Sequence, residues 1–361
     1  MPPVARVKRA KALFLLILSA FTAAPAAERA VNLVIAVDRS GSVERAGTAG
    51  TIRRALTDFV LNDGPNGAPA LVEGRDMIGI GSFGGSWKLD LSPTSRFRTG
   101  RPSAAKTIEE MPFGEGVTNT AEGLYQAYVL LWSIADPGAL NIIVLLTDGR
   151  PNAFTAIFDV AGWCGGGSPK KGYITALIGP SWPPLPPETP GERGIYTLGL
   201  YKPEWTAAGD MTLVENRDGC RFSESSRLFS SDASIFLERD AYGNSTAGPV
   251  YPLQSISTSN PRAVRYAAIN AADNMAARIR KDSAIHPILI VIGLNEPPQA
   301  GEPLDAGWLA AIANDPTHRD ARGVITIQAG QTSGKYYNTV PATLASAFQD
   351  LAVQVGNWKA R

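Results

Sequence analysis

The sequence predicts an α/β fold: a doubly wound, mostly parallel central sheet flanked by helices. Three observations carry that expectation. Val31-Asn32-Leu33-Val34-Ile35-Ala36-Val37 and Asn141-Ile142-Ile143-Val144-Leu145-Leu146 are largely apolar, β-branched runs, the pattern of strands buried on both faces. Segments of helical periodicity lie between and after them, and that alternation marks parallel strands joined by crossover helices. Each run also gives way to an aspartate, Asp38 and Asp148, at the strand end where open α/β sheets bind their ligands.

The elements follow in order. Residues 1–27 read as an export signal: Arg6, Lys8, Arg9 and Lys11 form a basic start, Ala12–Phe21 an apolar stretch, and Ala24-Pro25-Ala26-Ala27 a small-residue cleavage site. Roughly ten strongly apolar residues fall well short of the roughly 20 that a spanning helix needs, so cleavage is expected rather than anchoring. After the first strand, Ile52, Leu56, Phe59 and Val60 share one face of a helix over 49–61. Met77–Phe83 is a second strand, with more strand at Trp87–Leu91. Helices are expected over 104–111 and 120–134, the latter presenting Leu124, Ala127, Tyr128 and Leu131. The strand 141–146 closes at Thr147-Asp148-Gly149.

Regularity then lapses. Residues 155–260 read as a long loop-rich insertion, with Gly165-Gly166-Gly167 and Pro183-Pro184-Leu185-Pro186-Pro187 excluding regular helix or central strand there. Ile195–Leu200 is its one strand-like piece. The pattern resumes with a helix over 261–281, Pro261 suiting its first turn, a strand at 288–294, a helix at 306–314, a β-like stretch at 324–328 and a helix at 341–355. The expected organisation is a signal at 1–27, one α/β domain over 28–355 interrupted by 155–260, and a C-terminal tail at 356–361.

Composition narrows the function. The 361 residues carry 34 basic and 33 acidic side chains, and loss of the leader leaves 30 against 33. That balance speaks against a nucleic-acid or membrane-surface partner held by a basic face. No second apolar run of spanning length follows the leader, so no membrane span is expected in the mature chain. Two Cys and two His rule out a four-thiolate zinc site, so metal chemistry must rest on oxygen. In the oxidising compartment that an export signal implies, periplasmic or extracellular, Cys164 and Cys220 are disulfide candidates.

Oxygen ligands are at hand. Asp38-Arg39-Ser40-Gly41-Ser42 follows the first strand, Gly116-Val117-Thr118-Asn119-Thr120 precedes a helix, and Asp148 ends a strand. Two carboxylates and several hydroxyls are hard donors suited to Mg2+, Mn2+ or Ca2+. Asp38-x-Ser40-x-Ser42, Thr118 and Asp148 resemble the metal-ion-dependent adhesion site of von Willebrand factor type A domains, in order and on the corresponding elements. Val117 stands where many members have Gly. The resemblance covers about 31–155 and 261–355. It implies a divalent cation, Mg2+ foremost, bound by the hydroxyls of Ser40, Ser42 and Thr118 and by Asp38 and Asp148 directly or through water. It also implies a position left for an acidic residue of a protein partner, and no catalysis. The downstream segments Ala271-Ala272-Asp273-Asn274, Val291-Ile292-Gly293-Leu294 and Gly334-Lys335-Tyr336-Tyr337 are similar to bacterial type A domains of tight-adherence pilus assembly, the TadG-like proteins.

Two alternatives stand beside this expectation: a surface-structure assembly factor with a structural metal, and a metal-assisted hydrolase. Gly79-Ile80-Gly81-Ser82-Phe83-Gly84 matches G-x-G-x-x-G in spacing, but more strand follows it where a dinucleotide site needs a helix. His286 and His318 read as loop residues. Trp163, Trp182, Trp205, Tyr173 and Tyr242 of the insertion either pack among themselves or overhang the metal site.

Overall fold

The computed structural model describes residues 28–61, 70–114, 117–158, 160–161, 170–178, 195–201, 221–222, 236–249, 251–256, 262–295, 304–318 and 327–360. The leader, Cys164 and Cys220 lie outside the described residues, as do Trp163, Trp182 and Trp205. The strands are β1 (Val31–Asp38), β2 (Met77–Phe83), β3 (Trp87–Thr94), β4 (Leu140–Thr147), β5 (Ala153–Phe158), β6 (Lys170–Ile178), β7 (Ile195–Tyr201), β8 (Ile288–Leu294) and β9 (Lys335–Thr339). The helices are α1 (Gly41–Arg45), α2 (Ala49–Leu61), α3 (Ala104–Glu109), α4 (Thr120–Trp132), α5 (Arg262–Arg280), α6 (Ala306–Ala313) and α7 (Leu344–Lys359).

Six strands form the central sheet in the order β9-β8-β4-β1-β2-β3. All neighbours are parallel except β3, which turns back antiparallel along β2. The chain therefore builds outward from β1 to one side, then returns to β4 on the other. That reversal makes a crevice between the carboxyl ends of β1 and β4. Val37 lies opposite both Leu146 of β4 and Ser82 of β2, so Asp38 and the Thr147-Asp148 pair emerge side by side.

Both faces of the sheet are covered, which is why β1 and β4 are buried throughout. Alternate residues of β1 serve opposite layers. Leu33, Ile35 and Val37 pack with α2, α3 and α7, whereas Val34 and Ala36 pack with α4, α5 and α6. The ring centroids of Phe59 and Phe348 lie 5.3 Å apart and join α2 to α7.

Four features differ from or extend the sequence expectations. One outer strand is β9, at 335–339; the expected 324–328 stretch lies mostly outside the described residues. β9 is an edge strand that buries Tyr336 and Thr339 alone, so its composition hides it. The expected tail is helical as far as Lys359. Its ammonium is buried and donates to Asp76 Oδ2 at 2.9 Å and to the Ala70 carbonyl at 2.7 Å, which holds the last turn in place. Within the insertion, β5, β6 and β7 form a three-stranded antiparallel sheet, and Val160–Ala161 pairs with Arg221–Phe222. The G-x-G-x-x-G glycines Gly79 and Gly81 lie inside β2, and a Cβ on Gly81 would sit 2.0 Å from Cζ2 of Trp87. They make room for cross-strand packing. No helix among the described residues is long and apolar enough to cross a membrane.

Candidate metal centre

Asp38 is fully buried at the end of β1. Its Oδ1 accepts the Ser40 amide at 2.9 Å and its Oδ2 accepts the Thr147 hydroxyl at 2.6 Å. The first bond bends the chain sharply after the strand and delivers Ser40 and Ser42 to the crevice. Ser40 Oγ lies 3.0 Å from Ser42 Oγ and 3.4 Å from Asp148 Oδ1. The loop is fixed on both sides: the Arg39 amide donates to Phe83 O, and the Gly114 amide donates to Arg39 O.

Thr118 reaches the same crevice from the loop before α4. Its amide donates to Asn152 Oδ1 at 2.7 Å, and its carbonyl accepts the amides of Asn152 and Ala153. A Cβ on Gly149 would sit 3.6 Å from Thr118 Oγ1 and 3.9 Å from Ser42 Oγ. Those two hydroxyls thus border one small space, which the glycine leaves open. The five expected residues Asp38, Ser40, Ser42, Thr118 and Asp148 therefore meet at the carboxyl ends of β1 and β4, and all but the part-buried Ser42 are less than 5% exposed.

Electrostatics decides what this donor set suits. Burial pushes the Asp38 carboxyl from the usual 3.8 up to about 6, although hydrogen bonds from Thr147 and Ser40 oppose the rise. Two buried carboxylates, Asp38 and Asp148, thus stand close to neutral hydroxyls, where burial disfavours the charged form. A divalent cation is the natural complement, and carboxylate and hydroxyl oxygens are its hard ligands. Among the described residues no cluster of three or more His, Cys, Asp or Glu side chains exists, so any cation here must be held partly by hydroxyls. The donor set fits that demand.

Nothing in the sequence marks Thr147 as Asp38's partner or Asn152 as the clamp on Thr118. Asn119 is a further anchor. Its Oδ1 caps α4 through the Glu122 amide, and its Nδ2 donates to Gly85 O and Thr155 Oγ1. The insertion thus leans on the threonine loop through β5. Tyr173 of β6 lies over Gly85, where a Cβ would approach its ring to 2.3 Å. Tyr242 stacks on Tyr125 of α4 at 3.8 Å and donates its hydroxyl to Glu122. Both aromatics act as braces behind the threonine loop. His286 and His318 flank the amino-terminal ends of β8 and β9, at the opposite edge of the sheet.

The von Willebrand factor type A domain family matches residues 32–164. No curated protein gives a significant match. Solved structures with distant similarity include the PilB minor pilin from Streptococcus sanguinis, at 16% identity and a TM-score of 0.47, covering 91% of this chain. This chain spans 62% of the length of PilB. The vWF domain of the type V pili tip protein Mfa5 from Porphyromonas gingivalis has 16% identity and a TM-score of 0.47, with 93% of this chain and 98% of that one covered. Proximal thread matrix protein 1 from the mussel byssus, with a zinc-occupied MIDAS motif, has 13% identity and a TM-score of 0.41, over 91% of this chain and 48% of that one.

Proposed function

We propose that the chain, whose residues 32–164 match the von Willebrand factor type A domain family, is an exported binding protein of adhesion type. It holds a divalent cation at Asp38, Ser40, Ser42, Thr118 and Asp148 and, through it, an acidic residue of a protein partner. The observation that carries this reading is the meeting of two buried carboxylates and three hydroxyls at the sheet's reversal point. Mg2+ suits a compact site of few carboxylates, with Mn2+ and Ca2+ as competitors.

The chain's own residues divide the work. Ser40, Ser42 and Thr118 offer neutral oxygens, so a bound cation keeps most of its charge. Asp38 and Asp148 supply the negative charge that retains it. Thr147 and the Ser40 amide hold Asp38 in one orientation, and Asn152 sets the height of Thr118. When bound, the cation supplies a hard positive centre for an incoming carboxylate. The hydrolase alternative needs a general base near that centre, and both histidines lie at the far edge of the sheet.

The test is capture of partners from the native cell envelope on the immobilised chain, in Mg2+ and in EDTA, with Asp148→Ala alongside. Capture that disappears with EDTA and with the variant is expected. Capture that persists unchanged in EDTA would contradict the metal-bridged reading, and substrate hydrolysis lost in Asp148→Ala would favour the enzyme alternative.

A further inference from the structure

A second concave site lies on the described surface. It is a cavity of about 310 Å³ between α5 and the first turn of α6, lined among others by Arg150, Tyr251, Ile269, Asp273, Asp305 and Trp308. Three of these side chains are charged, two negative and one positive. Arg150 is engaged with Asp305 at 3.8 Å, and Asp305 Oδ1 also caps α6 through the Trp308 amide at 3.0 Å. That leaves Asp273. Among the described residues no hydrogen bond or ion pair reaches its carboxylate, and burial holds its carboxyl above the usual range, with the charge of Arg280 opposing the rise.

A half-buried carboxylate that makes no hydrogen bond or contact ion pair is open to a cationic partner in the cavity. A hard divalent ion is poorly suited, since the two carboxylates here share the cavity with a guanidinium. The remaining walls, Trp308, Tyr251 and Ile269, favour an organic cation: aromatic faces attract ammonium and guanidinium groups, and apolar surface accommodates an alkyl stem. The volume is at the small end of ligand cavities and suits one long side chain or a compact amine.

We propose that this cavity binds an alkyl ammonium or guanidinium group, with the charge against Asp273 and the carbon stem along Trp308. The cavity uses none of the five residues of the proposed metal centre, although Arg150 follows Asp148 by two positions, so it is tested in EDTA and stands or falls apart from that reading. The probes are Nα-acetyl-L-lysine amide, which imitates a protein side chain, cadaverine, a free diamine, and Nα-acetyl-L-norleucine amide, which keeps a stem and lacks the charge. Chemical-shift titration is expected to show saturable binding of one or both amines, with Kd values of about 1 mM to 10 mM, the range for so few contacts. Asp273→Asn should weaken binding by about tenfold or more, equivalent to losing a charge-assisted contact. Tighter binding of the lysine amide would assign the site to a protein side chain, and tighter binding of cadaverine to a free amine. The proposal is overturned if neither amine saturates, if the norleucine amide binds as well as the lysine amide, or if Asp273→Asn with wild-type Tm binds unchanged. The norleucine comparison needs only the wild-type chain, so it decides the matter even where the variant fails to fold.

Discussion

Thr147→Val removes one hydroxyl from the proposed cation site while keeping a β-branched side chain in β4. The Thr147 hydroxyl donates to Asp38 Oδ2 at 2.6 Å, and both residues are at most 1% exposed. A hydrogen bond to a charged group contributes about 1.5–3 kcal/mol. Burial already raises the Asp38 carboxyl to about 6, and loss of this donor raises it further. A cation must then displace a proton from more of the population, so Mg2+ affinity at neutral pH should fall roughly 2- to 15-fold, since about 1.4 kcal/mol corresponds to one unit of pKa and only the ionised fraction binds. Calorimetric titration of Mg2+ at neutral pH measures this directly, and Thr147→Ser, which retains the hydroxyl, should recover most of the affinity. An unchanged Mg2+ affinity in a Thr147→Val protein of wild-type Tm would refute the role given to Asp38.

Three further outcomes are expected. Because Asp38 titrates higher folded than unfolded, its contribution to metal-free stability is present below its ordinary 3.8 and is lost as pH rises through about 6; a cation has the opposite preference, so the Tm gained from Mg2+ over EDTA should shrink from pH 7.5 to pH 5, and a gain independent of pH would count against this. Lys359→Met leaves Asp76, fully buried, with the neighbouring Arg75 at 3.0 Å as its remaining ion pair, so chemical denaturation should show a loss of about 3 kcal/mol, the low end for a broken buried pair. Since burial is outweighed by bonds from Arg75, Lys359 and the Val72 amide, the Asp76 carboxyl lies below its ordinary range, and the wild-type advantage over Lys359→Met should shrink as pH falls below that range. Gly123→Ala sets about 1 kcal/mol of improved helix propensity against a Cβ placed 2.6 Å from Cδ1 of the fully buried Phe83; overpacking of that kind costs about 1–3 kcal/mol, so a lower Tm is expected and a higher one would show that Phe83 yields easily.

The parts of the fold legible in the sequence are those whose environment is uniform. β1 and β4 are covered on both faces, so their residues are apolar almost without interruption, and the helices over them repeat that demand every 3.6 residues. β9 escaped because Lys335-Tyr336-Tyr337-Asn338-Thr339 is an edge with one open side, and partly exposed strands carry a weak pattern. β5 and β6 escaped for another reason: β6 opens with Lys170-Lys171-Gly172 beside a Gly-rich stretch, and its pairing is decided by distant partners on β5 and β7. At the candidate centre the five proposed donors were singled out by their resemblance to the type A adhesion-site pattern and by their place at strand ends and loops. Thr147 and Asn152 were not, because holding a ligand's orientation from 100 or more residues away in Thr147's case, or clamping a loop in Asn152's, leaves no local signature. The helical turn at 356–359 was hidden in the same way, since a lysine at a chain end reads as solvated until its buried aspartate is seen.

The most direct test of the central claim is anomalous diffraction from crystals of the chain grown with Mn2+. One strong peak is expected within coordination distance of the Ser40, Ser42 and Thr118 hydroxyls, beside Asp38 and Asp148, as is its loss in Asp148→Ala. A well-ordered crevice with no peak, at Mn2+ concentrations that saturate any binding seen in solution, would contradict it.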